Sequence, residues 1–415
     1  MKLDLDFIRS QYPVFKNPET TRWAMFENAG GSYVPSQVAD RLLNFFQFTK
    51  VQPYGPFEAS IAAGEAMDEG YQAIAGLLGC DADELTLGPS TSMNTYVLAQ
   101  AARPTLKPGD EIVVTNQDHE ANIGCWRRLT ETGAIIKEWR IDPQTGELSI
   151  TDLKALLSDK TRLVCFTLCS NIVGTINDFK TICKMAHAVG ALAIGDGVSF
   201  APHQALDVNA SGLDIYLFST YKTFGPHLGI MWAKPAVLDT LEPQGHYFNR
   251  ELPHYNFNPA GPLHAEIAAT AGIGAYIDAV YDHHFTDEEP NLHTRAKAVF
   301  DLFSQHETHH ANRILDAIRA IPGSRIIGQN HAETGSRAAT IAFTVNGMTA
   351  QNVVDRLVQK EIAVRNGDFY AVRCLEGLGI KDIEDGIIRI SLVHYNSEQD
   401  VNRLVEGLGA LPATR

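Results

Sequence analysis

Residues 191–222 read ALAIGDGVSFAPHQALDVNASGLDIYLFSTYK, and this stretch decides the fold class. It contains two short apolar runs, residues 191–194 and 215–218. The first run leads into Asp196, and the second leads through Ser219 into Lys222. Short apolar runs of this kind are typical of strands that are buried on both faces of a parallel sheet. We therefore predict two buried strands, each followed by an ionisable side chain.

The same pattern extends outward from this stretch. From about residue 84 to about residue 232, short apolar runs alternate with helix-like segments, which indicates a three-layer α/β domain with a mainly parallel sheet covered on both faces. The predicted strands are residues 84–87, 111–115, 163–168, 191–194, 215–218 and 228–232. The predicted helices are residues 93–103, 121–132 and 179–189, the last ended by Gly190.

The alternation fades after about residue 240. A loop rich in Pro, Asn and His leads into a helix-like segment at 265–281, and residues 282–290 have the composition of a surface linker. A long helical stretch to Ile321 and strand-like runs at 338–344, 362–364 and 387–392 then predict a smaller α+β domain. We predict a large domain of residues 16–281 and a small domain of residues 1–15 and 282–415.

The composition excludes several classes of protein. The 415 residues are 45% hydrophobic and carry a formal net charge of -15, which disfavours binding to nucleic acid. The six cysteines form no Cys-x-x-Cys pair and read as buried hydrophobes of a reducing compartment. The first residues are acidic where a secretory signal needs basic ones, and no stretch has the length of a membrane span, so we expect a cytoplasmic protein without membrane contact.

Lys222 is the first candidate for chemistry. It ends the run Ser219-Thr-Tyr-Lys, before a turn at Gly225 and Pro226, and so lies at the carboxyl end of a sheet, where ligands of such folds bind. A partly desolvated lysine has a lowered pKa and can act as a nucleophile toward an aldehyde. The alternative is a surface lysine in a loop.

Asp196 is the second candidate, because a carboxylate at the end of an apolar strand needs a cationic partner. The protonated ring nitrogen of pyridoxal phosphate is such a partner, and holding it protonated strengthens that cofactor as an electron sink. The alternatives are an aspartate that caps the next helix or one that pairs with an arginine.

Ser90 and Thr91 lie in Gly88-Pro-Ser-Thr-Ser-Met, between a predicted strand and a predicted helix. Free backbone N–H groups at a helix start, together with hydroxyls, can bind a phosphate. The alternative is an ordinary helix cap, which the same residue types provide.

Four segments occur in a specific order: Asp118-His119-Glu-Ala-Asn122, Ser170-Asn171-Ile-Val-Gly174, Asp196-Gly-Val-Ser199 and Ser219-Thr-Tyr-Lys222. This ordered set resembles the class V aminotransferase family, particularly its cysteine desulfurase-like branch. The resemblance covers nearly the whole chain, from about residue 26 to about residue 396. It implies a fold-type-I, pyridoxal-phosphate-dependent enzyme that acts on an amino acid, and a homodimer with active sites near the interface.

The resemblance also implies roles for individual residues. Lys222 would carry the cofactor as a Schiff base, Asp196 would hold its ring nitrogen, and His119 would stack on its ring. The other implied contacts are Asn171 at the phenolic oxygen, Ser90, Thr91, Ser219 and Tyr221 at the phosphate, and Asn28, Tyr370 and Arg389 at the substrate, with Arg389 on its carboxylate. Ser199 is a cofactor-site residue that stands where many desulfurases have a glutamine at the phenolic oxygen, which weakens that one contact. The alternatives are a surface histidine for His119 and a structural ion pair for Arg389.

The chain departs from the family at two loops. Tyr370 follows Val364-Arg-Asn-Gly-Asp-Phe, where desulfurases have the cysteine that accepts sulfur, and Cys374 is four residues further on. Pro262 occupies the position of a threonine that reaches the neighbouring subunit's phosphate. We therefore favour a C–S lyase that acts by β-elimination, with an aminotransferase or an amino-acid epimerase as alternatives.

Two further alternatives come from other classes. The string His306-Glu-Thr-His-His310 matches the His-Glu-x-x-His pattern of zinc proteases, but no third ligand is evident, and we predict no metal. A non-catalytic dimer that keeps the fold is the other alternative. The retention of Lys222, Asp196 and Asn171 argues against it.

Overall fold

The computed structural model describes residues 2–252 and 255–411. No helix among these residues is long and apolar enough to cross a bilayer. The helices are α1 (Leu5–Ser10), α2 (Pro18–Thr21), α3 (Ser36–Asn44), α4 (Glu58–Leu78), α5 (Thr91–Ala102), α6 (Glu120–Arg128), α7 (Ile150–Leu156), α8 (Phe179–Ala188), α9 (Val208–Ser211), α10 (Pro235–Leu238), α11 (His264–His284), α12 (Leu292–Arg319), α13 (Ala350–Val358), α14 (Val372–Gly377) and α15 (Glu398–Gly409).

The strands build a seven-stranded sheet, a four-stranded sheet and a two-stranded pair within the described residues. Their bounds are β1 (Ala24–Met25), β2 (Leu85–Gly88), β3 (Glu111–Thr115), β4 (Ile135–Trp139), β5 (Thr161–Thr167), β6 (Leu192–Asp196), β7 (Ile215–Ser219), β8 (Gly229–Ala233), β9 (Ser324–Ile327), β10 (Thr340–Val345), β11 (Ile362–Ala363), β12 (Arg365–Gly367) and β13 (Ile387–Ser391). The six strands predicted for the large sheet are confirmed, with ends that differ by at most two residues.

The large sheet has the order β2-β8-β7-β6-β5-β3-β4. Its pairs are parallel from β7 through β4, whereas β8 runs antiparallel to both β7 and β2. The edge strand β4 was missing from the sequence prediction. Its five residues are mostly half-exposed, with only Trp139 buried, so it lacks the continuous apolar run that marks the inner strands.

Helices cover both faces of this sheet, as predicted. Val113 and Phe166 point to the layer that contains α4, α8 and α11, while Ile112 and Cys165 point to the layer of α5 and α6. Side chains alternate between faces along a strand, and so a strand buried on both faces must be apolar at successive positions. This explains why the inner strands appear in the sequence as uninterrupted apolar runs.

The C-terminal part contains the antiparallel sheet β12-β13-β10-β9 beside α12, α13 and α15. Ala24 and Phe26 pack into this same core, and β1 pairs with β11. The predicted linker at 282–290 begins later than expected, because α11 continues to His284. The division into domains at residues 16 and 281 stays a prediction.

The predicted site residues lie together where the parallel strands β6 and β7 of the large sheet end. Asp196 is the last residue of β6 and pairs with Leu217 of the parallel strand β7, which ends at Ser219 just before Lys222. Strands β7 and β8 pair with Ser219 opposite Gly229. A side chain at Gly229 would collide with the backbone of Ser90 and Thr91, so glycine lets β8 approach the start of α5.

Candidate active site

Two connected cavities meet at Lys222. The inner cavity has a volume of about 260 Å³ and the outer one about 750 Å³, and His119, Asn171, Tyr221 and Lys222 line both. The inner cavity also contains the predicted residues Ser90, Thr91, Asp196, Ser199 and Ser219. The outer cavity adds Tyr370 and Arg389. The structure therefore brings together every predicted site residue except Asn28.

Lys222 is buried in the turn that follows β7, so the alternative of a surface lysine is wrong. Burial lowers the pKa of Lys222 to about 8, and the nearby charge of Arg389 acts in the same direction. The carboxylates of Asp196 and Glu27 oppose this shift. A substantial fraction of this amine is neutral near pH 8, which is the form that attacks an aldehyde or accepts a proton.

Asp196 is buried, and its Oδ1 accepts a hydrogen bond of 2.8 Å from the backbone N–H of Val198. Burial raises the pKa of Asp196 to about 6, while the Val198 hydrogen bond and Lys222 partly oppose the shift. The next helix, α9, is capped by Asp207, so Asp196 is free of that alternative role. A cation next to this carboxylate would stabilise its ionised form. A protonated ring nitrogen is such a cation, and it requires an ionised carboxylate as its partner.

Hydroxyl groups converge at the start of α5. Ser90 is the N-cap residue, and its Oγ accepts a hydrogen bond from the Met93 N–H at 3.2 Å. The Oγ1 atom of Thr91 lies 2.6 Å from the Oγ of Ser219. Ser90 thus caps the helix and also lines the inner cavity. The interpretation as a helix cap is therefore compatible with the interpretation as a phosphate-binding residue. Hydroxyls beside a helix N-terminus suit an anion such as a phosphate.

Sequence reasoning missed His227 at this end of the inner cavity. Its ring stacks on Tyr221, with centroids 4.7 Å apart and planes 10° from parallel. The signal available was its position directly after Gly225-Pro226, within the segment that contains Lys222. The stack gives the hydroxyl cluster an imidazole neighbour from the same chain.

His119 lines both cavities, and Tyr370 lies beside it in the wall of the outer one. The Nδ1 of His119 accepts a hydrogen bond from the Ala121 N–H at 3.0 Å, which leaves the proton of a neutral ring on Nε2. Burial, together with the charges of Lys222 and Arg389, lowers the pKa of His119 to about 3, so the ring is neutral at pH 7. Its centroid lies 5.4 Å from that of Tyr370, which is 73% exposed. His119 is therefore a partly buried ring that lines both cavities, not the surface histidine of the alternative.

The loop that carries Tyr370 has an unusual backbone. Phe369 and Tyr370 have φ values of 50° and 58°, which side chains other than glycine rarely adopt. Each such residue costs roughly 1–3 kcal/mol, and such strain concentrates at ligand sites. The carbonyl of Tyr370 accepts the Glu120 N–H at 2.7 Å, and the carbonyl of Phe369 accepts Asn171 Nδ2 at 2.9 Å. These two bonds tie the loop to the residues beside the cavity.

Asn171 offers an unpaired group to the cavity. Its Oδ1 atom is buried and has no hydrogen-bond partner among the described residues. Buried polar atoms are usually paired, so a polar atom of a bound ring would complete this site. Together with the buried carboxylate of Asp196 and the hydroxyls at α5, this unpaired group fits the polar groups of pyridoxal phosphate.

Arg389 lies in β13, and its Nη2 donates a hydrogen bond of 2.6 Å to the Oε1 of Glu27. Its guanidinium carbon lies 3.8 Å from the centroid of the Phe369 ring. The alternative of an ion pair is thus present in the structure, and Arg389 also lines the outer cavity. Sequence reasoning missed Glu27, because its partner lies 362 positions away. The contact of Arg389 with a substrate carboxylate stays a prediction.

Asn28 does not reach the two cavities. Its Nδ2 donates to the Ser391 carbonyl at 3.0 Å, and its Oδ1 accepts the hydroxyl of Tyr395. With Lys222 and Ser199, it lines only a crevice of about 10 Å³. Its polar atoms hold the chain segment against β13, and a substrate contact for Asn28 stays a prediction.

The His-Glu-x-x-His string does not form a zinc protease site. His306 Nε2 bonds the Asn396 carbonyl at 2.9 Å, and Glu307 Oε2 lies 2.6 Å from His203 Nδ1. The histidine and glutamate therefore face different partners. In the described part of the chain, the group of side chains that could hold a metal is His309, His310 and Glu398, which omits the first histidine of the pattern.

Comparison with known proteins identifies the family. The model of the family described as aminotransferase class-V matches residues 24–404. The chain belongs to the class V aminotransferase family. The aminotransferase-like protein FGM3 of Gibberella zeae is 34% identical to this class V chain over 414 residues, with 97% of each protein covered. A cysteine desulfurase of Dickeya dadantii is 28% identical, with 97% of this chain and 96% of the relative covered.

The class V fold is equally clear in solved structures. The apo structure of a cysteine desulfurase from Thermococcus onnurineus NA1 matches with a TM-score of 0.84 at 21% identity, over 99% of this chain and 98% of that one. The protein thus has the fold type I of pyridoxal-phosphate enzymes and belongs to the cysteine desulfurase-like branch. It is a pyridoxal-phosphate-dependent class V enzyme, and so the alternative of a non-catalytic dimer is set aside.

The lowered pKa of Lys222 predicts how this class V apoenzyme takes up its cofactor. We expect the rate of covalent incorporation of added pyridoxal phosphate to rise with pH and to level off above about pH 8, because the neutral amine attacks the aldehyde. Stopped-flow absorbance from pH 6 to pH 10 measures this profile. Nα-acetyl-lysine under the same conditions should still gain rate up to about pH 10. A protein profile that coincides with that of the free lysine would contradict the prediction.

Proposed function

We propose that the protein is a C–S lyase that eliminates a thiolate from the β-carbon of an amino acid. The proposal is carried by Tyr370, which follows Val364-Arg-Asn-Gly-Asp-Phe, and this segment resembles the one that precedes the sulfur-accepting cysteine of desulfurases. A phenol cannot hold a persulfide. Cys374, on α14, is fully buried, and burial raises the pKa of its thiol to about 12. A buried, protonated thiol is a poor nucleophile, so sulfur transfer through either residue is disfavoured.

The residues around the cavity support chemistry at the α-carbon of an amino acid. When bound, pyridoxal phosphate supplies the electron sink that makes the α-proton removable. Lys222 is the base that removes this proton, because its amine is buried, has a lowered pKa and lines both cavities. Asp196 lines the inner cavity and would hold the positive charge of the ring nitrogen there.

The outer cavity supports the binding of substrate. Arg389 lines it and is the proposed contact for the α-carboxylate, because a guanidinium gives a carboxylate two parallel hydrogen bonds. His119 and Tyr370 lie side by side in the wall of this cavity, where we expect their rings to limit the access of water to the reacting carbon. The neutral ring of His119 is positioned to cover the cofactor ring without adding charge.

A second candidate function is transamination. The name of the Gibberella zeae relative, an aminotransferase-like protein, favours it. Lys222 serves both reactions, since both begin with removal of the α-proton. They diverge in the fate of the nitrogen, which elimination releases as ammonia and transamination leaves on the cofactor. Epimerisation is a third outcome, in which the proton returns to the opposite face of the α-carbon.

We also propose that the protein works as a homodimer. Exposed large apolar side chains support a second copy, because exposed apolar surface commonly marks interfaces. Phe48, Phe57, Tyr247 and Phe248 are among them, each more than half accessible. Pro262 offers no hydroxyl to a neighbouring subunit's phosphate site, so that contact would come from other residues.

The decisive experiment is a screen of amino acids, beginning with L-cysteine and L-cystine, for released pyruvate, sulfide and ammonia. We expect pyruvate and ammonia in equal amounts with a productive substrate. Alanine in place of pyruvate would mean desulfuration, and pyridoxamine phosphate that persists after a single turnover would mean transamination.

Cys374→Ser provides a separate prediction. Because Cys374 is buried and protonated, we expect the rate of sulfide release to stay within about twofold of that of the unmodified protein. Alkylation of the native protein with iodoacetamide should leave this cysteine unlabelled. A loss of activity of tenfold or more in a correctly folded Cys374→Ser variant, judged by its circular dichroism spectrum, would contradict the lyase proposal.

A further inference from the structure

Glu27 is a carboxylate at the place where the proposed substrate carboxylate has to bind. Its Oε1 accepts the Nη2 of Arg389 at 2.6 Å, and the two side chains are only 12% and 3% exposed. The backbone of Glu27 forms a β-bridge with Ser391, two residues beyond Arg389 on β13. The strand that carries the arginine therefore also fixes the position of the glutamate.

The carboxylate of Glu27 lies directly behind the wall of the outer cavity. Ala29 and Gly30 line that cavity, and a side chain at Gly30 would collide with the carboxylate of Glu27. The missing side chain at Gly30 thus creates the space in which Glu27 reaches Arg389. A ligand carboxylate that enters from the cavity approaches the same guanidinium.

We propose that Glu27 is an internal competitor for Arg389, and that an amino acid binds by exchanging its own carboxylate for that of Glu27. The exchange keeps a carboxylate on the buried guanidinium in both states, so the arginine is never left as an uncompensated buried charge. Arg389 has further binding capacity, because its Nε is buried without a hydrogen-bond partner among the described residues. The inference rests on the proposed role of Arg389 and is independent of the reaction that follows.

The exchange has a consequence for specificity. A ligand with an amine but no carboxylate leaves the pair of Glu27 and Arg389 intact. A ligand with both groups must displace Glu27, so its affinity is lower than an unpaired arginine would give. Glu27 therefore weakens the preference of the site for amino acids over simple amines.

A purely structural role for Glu27 predicts a different result. Arg365 and Arg389 are directly opposite each other in the antiparallel pair of β12 and β13. Like charges in such positions repel, and Glu27 would offset that repulsion. In that case, removing the charge of Glu27 lowers the melting temperature and does not tighten the binding of amino acids.

The test uses the holoenzyme with L-alanine and ethylamine, which differ by one carboxylate. Dissociation constants come from the change in cofactor absorbance and from calorimetry, without any need for turnover. We expect Glu27→Gln to bind L-alanine about tenfold more tightly than the unmodified protein and to bind ethylamine with unchanged affinity. Glu27→Asp, which retains the charge on a shorter stem, should give an intermediate affinity for L-alanine.

Glu138→Gln is the matched control. It removes one carboxylate from a partly buried pair with Arg127, away from both cavities. Both dissociation constants should stay within about twofold of those of the unmodified protein. An unmodified protein that prefers L-alanine, together with a Glu27→Gln variant of unchanged or weaker affinity, overturns the inference alone. Equal affinities for the two ligands in both the unmodified protein and the Glu27→Gln variant overturn the role of Arg389 and, with it, the inference.

Discussion

Lys222→Ala should abolish the covalent attachment of pyridoxal phosphate and lower the rate of α-proton removal by about 10⁴-fold. The reason is that Lys222 is proposed both as the amine that binds the aldehyde and as the base. Borohydride reduction followed by peptide mass spectrometry should find the cofactor on Lys222 in the unmodified protein and on no residue in the variant. Exchange of the α-proton of L-alanine in D₂O measures the catalytic loss.

Lys184→Ala is the control for the loss of a lysine. Lys184 is exposed on α8, so its removal should affect neither attachment nor exchange. Added methylamine should restore part of the exchange rate in Lys222→Ala, since a small amine can enter a cavity of about 750 Å³. Cofactor found on another lysine of the Lys222→Ala variant would refute the assignment.

Asp196→Asn should have the second-largest effect, with kcat reduced by about 10³-fold. The amide can still accept the hydrogen bond of the Val198 N–H, which the carboxylate accepts at 2.8 Å, so we expect the fold to be retained. It cannot provide the negative charge that keeps a ring nitrogen protonated. Cofactor affinity, followed by absorbance during dialysis, should fall together with kcat.

Asp110→Asn is the control for the loss of a buried carboxylate outside the candidate active site. Asp110 is also buried, but it precedes β3 and so lies at the opposite edge of the same sheet, where it pairs with Arg162. This variant should lose stability and keep the kcat of its folded fraction. If Asp196→Asn retained kcat within tenfold, the assigned role of Asp196 would be wrong.

The large sheet could be predicted because its inner strands are buried on both faces. Each must be apolar at successive positions, and this leaves a local signal, as in residues 163–168 and 215–218. The edge strand β4 left no such signal, because four of its five residues are partly or fully exposed. The antiparallel direction of β8 was equally absent from the sequence, since an apolar run carries no information on the direction of its neighbours.

The residues of the candidate site also differ in how far the sequence predicts their contacts. Lys222, Asp196, Ser90 and Thr91 follow strands or begin helices, and the resemblance that the ordered motifs show predicted that they would share one cofactor site. Asn28 was predicted at the substrate from its motif, yet it bonds Ser391 and Tyr395 in the interior. Its partners lie more than 360 positions away, and no local pattern can reveal them.

By itself, the sequence determined the family and six strands of the large sheet, and it supplied the predicted amine and acid, because periodicity and motif order are written in consecutive residues. Only the tertiary structure decided how those groups behave. Burial lowers the pKa of Lys222 and raises that of Asp196, and the pairing of Glu27 with Arg389 gives the proposed substrate site an internal competitor. Desolvation and long-range ion pairs depend on which distant segments pack together, and that information exists only once the chain has folded.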